Sequence, residues 1–130
     1  MKIIALCNQK ENIKDLLQSK ADIVAVGCKN FSDKTQTKLT KEEIKEVLSA
    51  AKKANKKLYV YLDAFIYDIM IPELEELLVY LNEIQIDGVI FNDIGIKHIC
   101  FEKNLKLNLM YDPKALVTNY EQFPFYKKNN

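Results

Sequence analysis

Ile86-Asp87-Gly88-Val89-Ile90-Phe91-Asn92-Asp93-Ile94-Gly95 is a short apolar run that ends abruptly in polar side chains and a glycine. A run this short, with β-branched Ile and Val and no polar alternation, suits a strand covered on both faces, as in a parallel sheet. Asn92 and Asp93 then stand at its C-terminal end, where α/β proteins gather ligand-binding and catalytic groups. The rest of the chain reads as variations on this unit.

Upstream, Lys57 to Asp63 gives a third strand, followed by the apolar loop Ala64-Phe65-Ile66-Tyr67-Asp68. Pro72 suits the first turn of the next helix, whose buried stripe is Leu74, Leu77, Leu78 and Leu81. Ile23 to Gly27 is the second strand, bracketed by Asp22 and Gly27. A polar loop, Cys28 to Leu39, separates it from a helix that Thr40 caps, with Glu43 completing a capping box. Lys2 to Leu6 is the first strand, and Asn12 is expected to cap a helix running to about Lys20. Downstream, a short helix covers about Gly95 to Lys103, and Leu105 to Tyr111 is the fifth strand. Pro113 is expected to open a helical segment through Tyr120, with Asp112 as its N-cap.

Alternating strand–helix units of roughly 20–25 residues imply an α/β fold with a parallel sheet. Two architectures fit: a partial (β/α)8 TIM-like barrel with five of its strands, or a flavodoxin-like doubly wound sheet ordered 2-1-3-4-5. A complete barrel needs eight units and ~250 residues. Residues 1–130 are therefore expected to be the N-terminal portion of one barrel domain. The aromatic tail Phe123-Pro124-Phe125-Tyr126 calls for a surface to pack against.

Composition narrows the class. Hydrophobic residues make up 48% of the chain and charged residues 28%, which excludes a disordered segment. All 19 basic residues are lysine, and 18 acidic residues nearly cancel them, so no global field points to nucleic acid. No span approaches the ~18 apolar residues of a transmembrane helix, and the first apolar run is too short for a signal peptide. The three cysteines, Cys7, Cys28 and Cys100, form neither a disulfide framework nor a zinc pattern, which fits a reducing cytoplasm.

Several stretches carry a family resemblance. Lys20 to Gly27 is similar to the "GADAVYLG" strand of the collagenase-like peptidases of unassigned catalytic type, and Phe31 through Thr40 to the loop that follows it there. Lys57 to Asp63 resembles that family's "VYVTLN" strand, and Asp87 to Gly95 its "DAVIVQDLGV" strand and turn. Leu107 to Asn119 resembles "LHLSTQMNVTN", and the order of these stretches matches across nearly the whole chain. The resemblance implies a (β/α)8-like barrel and a bacterial cytoplasmic protein. It implies either a peptidase or, for other members, prephenate-dependent hydroxylation of tRNA or rRNA bases, with RNA or peptide as the partner. Several members carry an iron–sulfur cluster on cysteines from a later region, so no cofactor is expected on these residues. Where the family often has Arg in the second loop, Lys34 is nearest, and a lysine does not reproduce an arginine fork. Asp63 stands where the family has Asn. Lys34 and Asn119 are the substrate-binding positions the resemblance suggests.

With parallel strands, Cys7, Cys28, Asp63, Asn92, Asp93 and Asp112 all fall at one rim. Carboxylates on neighbouring strand ends can serve as acid and base or hold a cation; the competing reading is that each is a turn or helix-cap residue. A cysteine protease would need Cys7 or Cys28 beside a histidine, and the lone His98 falls on the fourth helix. Ser19, Ser32 and Ser49 lack a nucleophile-elbow context. No phosphate-binding glycine motif occurs, and no metal is expected. An open sheet edge leaves room for a homodimer. The alternative to both enzyme readings is a non-catalytic α/β module that binds a small molecule or a partner at the rim.

Overall fold

The computed structural model describes residues 1–114 and 117–128. Five strands make one parallel sheet in the order β1-β2-β3-β4-β5: β1 (Ile4–Leu6), β2 (Ile23–Gly27), β3 (Lys57–Leu62), β4 (Gly88–Phe91) and β5 (Leu109–Tyr111). Helices α1 (Ile13–Gln18), α2 (Lys41–Lys53), α3 (Ile71–Glu83) and α4 (Ile94–Glu102) alternate with them, and α5 (Gln122–Lys128) follows. The strand order is sequential, as in a barrel segment, and the 2-1-3-4-5 order of a flavodoxin-like sheet does not occur.

The two faces of the sheet differ. Val24, Val26, Leu58, Val60, Leu62, Val89 and Phe91 share one core with the buried residues of α1 to α4, including Leu17, Ile44, Leu48, Leu74, Leu78 and Ile96. Among the described residues, the opposite face buries strand residues alone: Ile23, Ala25, Tyr59, Tyr61 and Ile90. Ile4, Leu6 and Met110 are in register with residues of that second face and are each more than a third exposed. Among the described residues the helices share a core with one face of the sheet, over strands in sequential order, which is consistent with part of a (β/α) barrel wall.

Local chemistry repeats from unit to unit. After α2, α3 and α4 a single residue turns left-handed: Asn55 (φ 55°), Gln85 (φ 56°) and Asn104 (φ 52°). In each case the next N–H bonds the carbonyl five residues back: Lys56 to Ala51, Ile86 to Leu81, and Leu105 to Cys100. This is the Schellman closure of a helix C-terminus. At the strand starts, Asp22 accepts the Ile3 N–H at 2.7 Å and Asp87 accepts the Leu58 N–H at 2.8 Å. Both acidic residues thus secure the preceding strand, a stabilising role for the N-terminal rim.

Some boundaries differ from expectation. Asn12 is no cap; it lies in a 3-10 turn, Lys10–Asn12, that runs straight into α1 with right-handed helical dihedrals. The Thr40–Glu43 capping box is present in both directions. β5 is confined to Leu109–Tyr111, the residues that pair with the four-residue β4, its sheet partner among the described residues. Of the segment expected to be helical from Pro113 to Tyr120, residues 115–116 lie outside the described residues and the described remainder is not helical. The helix comes later, as α5, and Tyr126 packs on Tyr111 with ring centroids 5.7 Å apart. Among the described residues no helix is long and apolar enough to cross a membrane.

Candidate functional site

The C-terminal rim is organised by the polar loop between β2 and α2. Leu39 bridges back to Cys28, with the Leu39 N–H on the Gly27 carbonyl and the Lys29 N–H on the Leu39 carbonyl, each at 2.9 Å. Phe31 is buried, and its carbonyl accepts the N–H groups of Asp63 and Ala64 at the end of β3. The Gln36 N–H reaches the Asn8 carbonyl beyond β1. Three hydroxyls are buried within the loop. Thr37 Oγ1 accepts the Gly27 N–H at 2.7 Å and lies 2.8 Å from Thr35 Oγ1; Ser32 Oγ accepts the Cys28 N–H at 2.7 Å and donates to the Tyr61 carbonyl. A Cβ on Gly27 would come within 1.9 Å of Thr35 Oγ1, so glycine is required there by space. Read from sequence, this segment is a plain polar loop; its Ser/Thr content was the signal for backbone capping.

Asp63 is the buried carboxylate of the rim, 1% exposed. Its Oδ1 accepts the N–H groups of Asp33 (2.9 Å) and Lys34 (3.3 Å), which draws the loop tip onto β3. Asn92, at the end of β4, donates Nδ2 to the Asp63 carbonyl at 3.3 Å. Asp63 Oδ2 and Asn92 Oδ1 are both buried with no hydrogen-bond partner among the described residues. Asp93 is a helix cap whose Oδ1 accepts the Gly95 N–H at 2.7 Å. It belongs to the turn chemistry of α4.

Asp112 is not the N-cap of a following helix. Its Oδ2 accepts the Tyr61 hydroxyl and the Lys34 ammonium, the latter at 3.1 Å, and Lys34 also donates to Tyr61 Oη at 2.7 Å. Lys34, Tyr61 and Asp112 therefore form one connected network across the rim. The Lys34 and Asp112 side chains are 45% and 42% exposed, so the network faces solvent. Hydrogen bonds to Tyr61 and to Asp112 hold Lys34 above its ordinary value. Burial, then the bond to Asp112, pushes the Tyr61 phenol up. For Asp112 burial works upward, but the bonds from Tyr61 and Lys34 together with the Lys34 charge outweigh it and hold the carboxyl low. At neutral pH the network is ammonium, phenol and carboxylate. Two of the three Lys34 N–H donors are used, leaving one for a ligand carboxylate or phosphate. Tyr61 is a site residue that the sequence reading missed.

Of the predicted positions, the structure brings Asp63 and Asn92 together and Lys34 to Asp112. Asn119 is exposed in the stretch before α5, where its carbonyl accepts the Gln122 N–H at 3.4 Å. Beside the network, the Lys114 ammonium lies over the Phe65 ring, 4.6 Å from its centroid.

No nucleophile–base pair occurs among the described residues. Cys7, Cys28 and Cys100 are free and buried, and burial raises all three thiols, Cys28 to about 12 and Cys100 to about 11. His98 is exposed on α4. Ser19 and Ser49 donate to backbone carbonyls of their own helices, and Ser32 is occupied by Cys28 and Tyr61. No cluster of three or more His, Cys, Asp or Glu side chains suited to a metal occurs among the described residues.

Comparison with known proteins adds a family and a fold. The family model described as Peptidase family U32 matches residues 8–130. A curated relative from Methanocaldococcus jannaschii, "Uncharacterized protease MJ0090", is 27% identical over 98% of this chain and 31% of its own length. Another, "tRNA hydroxylation protein P2" of Bacillus subtilis, is 26% identical over 84% of this chain and 35% of its own length. The chain thus spans about a third of the length of these relatives. The solved structure of the U32 peptidase Mk0906 superposes with a TM-score of 0.65 over 86% of this chain and 48% of that one, at 15% identity, which shows a shared fold.

Proposed function

From the premise that this chain belongs to peptidase family U32, we propose that its parent protein acts in prephenate-dependent hydroxylation of a tRNA base. The observation that carries this reading is the Lys34–Tyr61–Asp112 network on a rim where no nucleophile–base pair occurs among the described residues. Hydrolysis of a peptide by a serine or cysteine enzyme needs an activated oxygen or sulfur. Here the thiols are buried and raised, and the hydroxyls of Ser19, Ser32 and Ser49 donate to backbone carbonyls. An ammonium with a spare donor beside a phenol suits a carboxylate-bearing ligand such as prephenate. One curated relative is named for tRNA hydroxylation, which agrees with this assignment.

The chain supplies the first five units of a (β/α)8 barrel in this reading, and further strands cover the β1 and β5 edges. The half-exposed inner-face residues Ile4, Leu6 and Met110 support such a continuation. A second copy is the other way to close those edges, and light scattering separates the two: a monodisperse monomer removes the dimer.

The test is mass spectrometry of nucleosides from tRNA of a strain lacking the gene. A hydroxylated nucleoside should be replaced by a form lighter by one oxygen atom, and Lys34→Ala should reproduce part of that loss. Unchanged tRNA together with peptide cleavage by the purified protein would sink the reading and establish the peptidase alternative.

A further inference from the structure

The loop that leaves β3 turns from buried to exposed within two residues. Asp63 is 1% exposed, whereas Phe65 is 69% and Tyr67 is 67% exposed. Phe101 (79%) and Tyr120 (76%) are at least as exposed, so exposure alone does not single out Phe65; its place at the rim with an ammonium over its ring does. Phe65 sits at the rim site: its neighbour Ala64 donates to the Phe31 carbonyl at 3.2 Å, and Lys114, over its ring, is two residues from Asp112.

We propose that Phe65 is a stacking platform for an unpaired nucleobase of an RNA substrate, with Lys114 meeting the adjoining phosphate and Tyr67 flanking the base. The inference rests on the tRNA reading and names the residues that would hold the base beside the Lys34–Tyr61–Asp112 network. An aromatic ring accepts any base face by stacking, and a nearby cation neutralises the backbone. The alternative occupant is more protein, but the cores of protein interfaces are depleted in lysine. A cation resting on the ring keeps that patch wet and charged, which suits an anionic chain better than an apolar one.

The test measures binding of a labelled RNA stem-loop with an unpaired loop, and of the same sequence as a full duplex, by fluorescence anisotropy. The intact protein should prefer the unpaired loop. Phe65→Ala should weaken loop binding by about tenfold or more while leaving duplex binding unchanged. Phe65→Trp should restore it, which a loss of folding would not allow. Lys114→Ala should reduce the salt slope of binding by about 0.7. Equal loop binding by the intact protein and Phe65→Ala overturns the platform and leaves the tRNA reading standing. Loss of the hydroxylated nucleoside in the gene-deletion strain without any RNA binding by the protein has the same consequence. A Phe65→Ala variant that alters self-association and not RNA binding would assign the loop to a protein interface.

Discussion

Lys34, on the loop after β2, and Asp112, at the end of β5, form an ion pair of 3.1 Å across 78 residues of sequence. The pair crosses the ends of β3 and β4, and Tyr61 joins it from the face of β3 opposite the helix-covered core. Because both ends are half exposed, the pair contributes no more than about 1 kcal/mol to global stability. Its effect is local. Lys34→Met should leave the urea midpoint nearly unchanged and speed amide hydrogen exchange at Asp33 and Thr35. Unchanged exchange at those positions would show that the remaining loop contacts, those of Asp63 among them, hold the loop without the ion pair.

The pH dependence of this network follows from the signs of the shifts. The folded Asp112 carboxyl lies below its ordinary 3.8, so its contribution is present above 3.8 and is lost as pH falls through the lower folded value. Tyr61 is raised above 10.0, so its contribution is present below 10.0 and is lost as pH rises through the folded value. An NMR titration should therefore find the Tyr61 ring signals flat between those limits. A titration step near neutrality would contradict the assignment.

Gly27 closes the loop against β2. A methyl group there would come within 1.9 Å of Thr35 Oγ1 and 3.0 Å of Thr37 Oγ1, both in buried residues. Gly27→Ala should destabilise the protein by about 1–3 kcal/mol, the usual range for overpacking. Adding Thr35→Ala should recover part of the loss by making room. Urea midpoints of the single and double variants measure both effects, and equal midpoints would place the strain elsewhere.

Legibility in the sequence tracks the distance between partners. The Thr40–Glu43 capping box was readable because both halves lie three residues apart, and it is present as read. The strand cores were readable because Ile23 to Gly27 and Gly88 to Phe91 are apolar on both faces. Asp112-Pro113 has the same local look as a helix cap, yet its carboxylate is taken by Tyr61, 51 residues away. Nothing local distinguishes Tyr61 from Tyr59, although Tyr59 lies against Gly88 and accepts from Asn108 at 2.7 Å instead of joining the network. Asp63 reads as a turn residue and is in fact the buried anchor of the loop, because its donors are the backbone of residues 33 and 34.

Gln85 offers a stabilising substitution. It holds φ 56° at the end of α3, where the equivalent residues after α2 and α4 are asparagine. Glutamine lacks the short polar side chain that eases this conformation, and glycine has no Cβ to strain. Gln85→Gly should raise stability by up to about 1 kcal/mol, with Gln85→Asn intermediate. Thermal unfolding ranks the three, and a lower midpoint for glycine would mean that unfolded-state entropy outweighs the relief.

The cysteines decide between the enzyme readings most directly. A thiol reacts as its thiolate, and burial raises Cys7, Cys28 (about 12) and Cys100 (about 11) above the ordinary 9.0. At pH 8 the native protein should therefore alkylate slowly with iodoacetamide at all three positions, and the urea-unfolded chain quickly. Cys7 is the informative one: burial raises its thiol, although the hydrogen bond it donates to the Gln9 carbonyl acts the other way. Cys7→Ala should consequently leave the proposed tRNA hydroxylation, and equally any peptide cleavage, unchanged. Rapid, selective alkylation of Cys7 in the folded protein, with loss of activity, would instead identify a catalytic thiolate at the end of β1 and restore the peptidase reading.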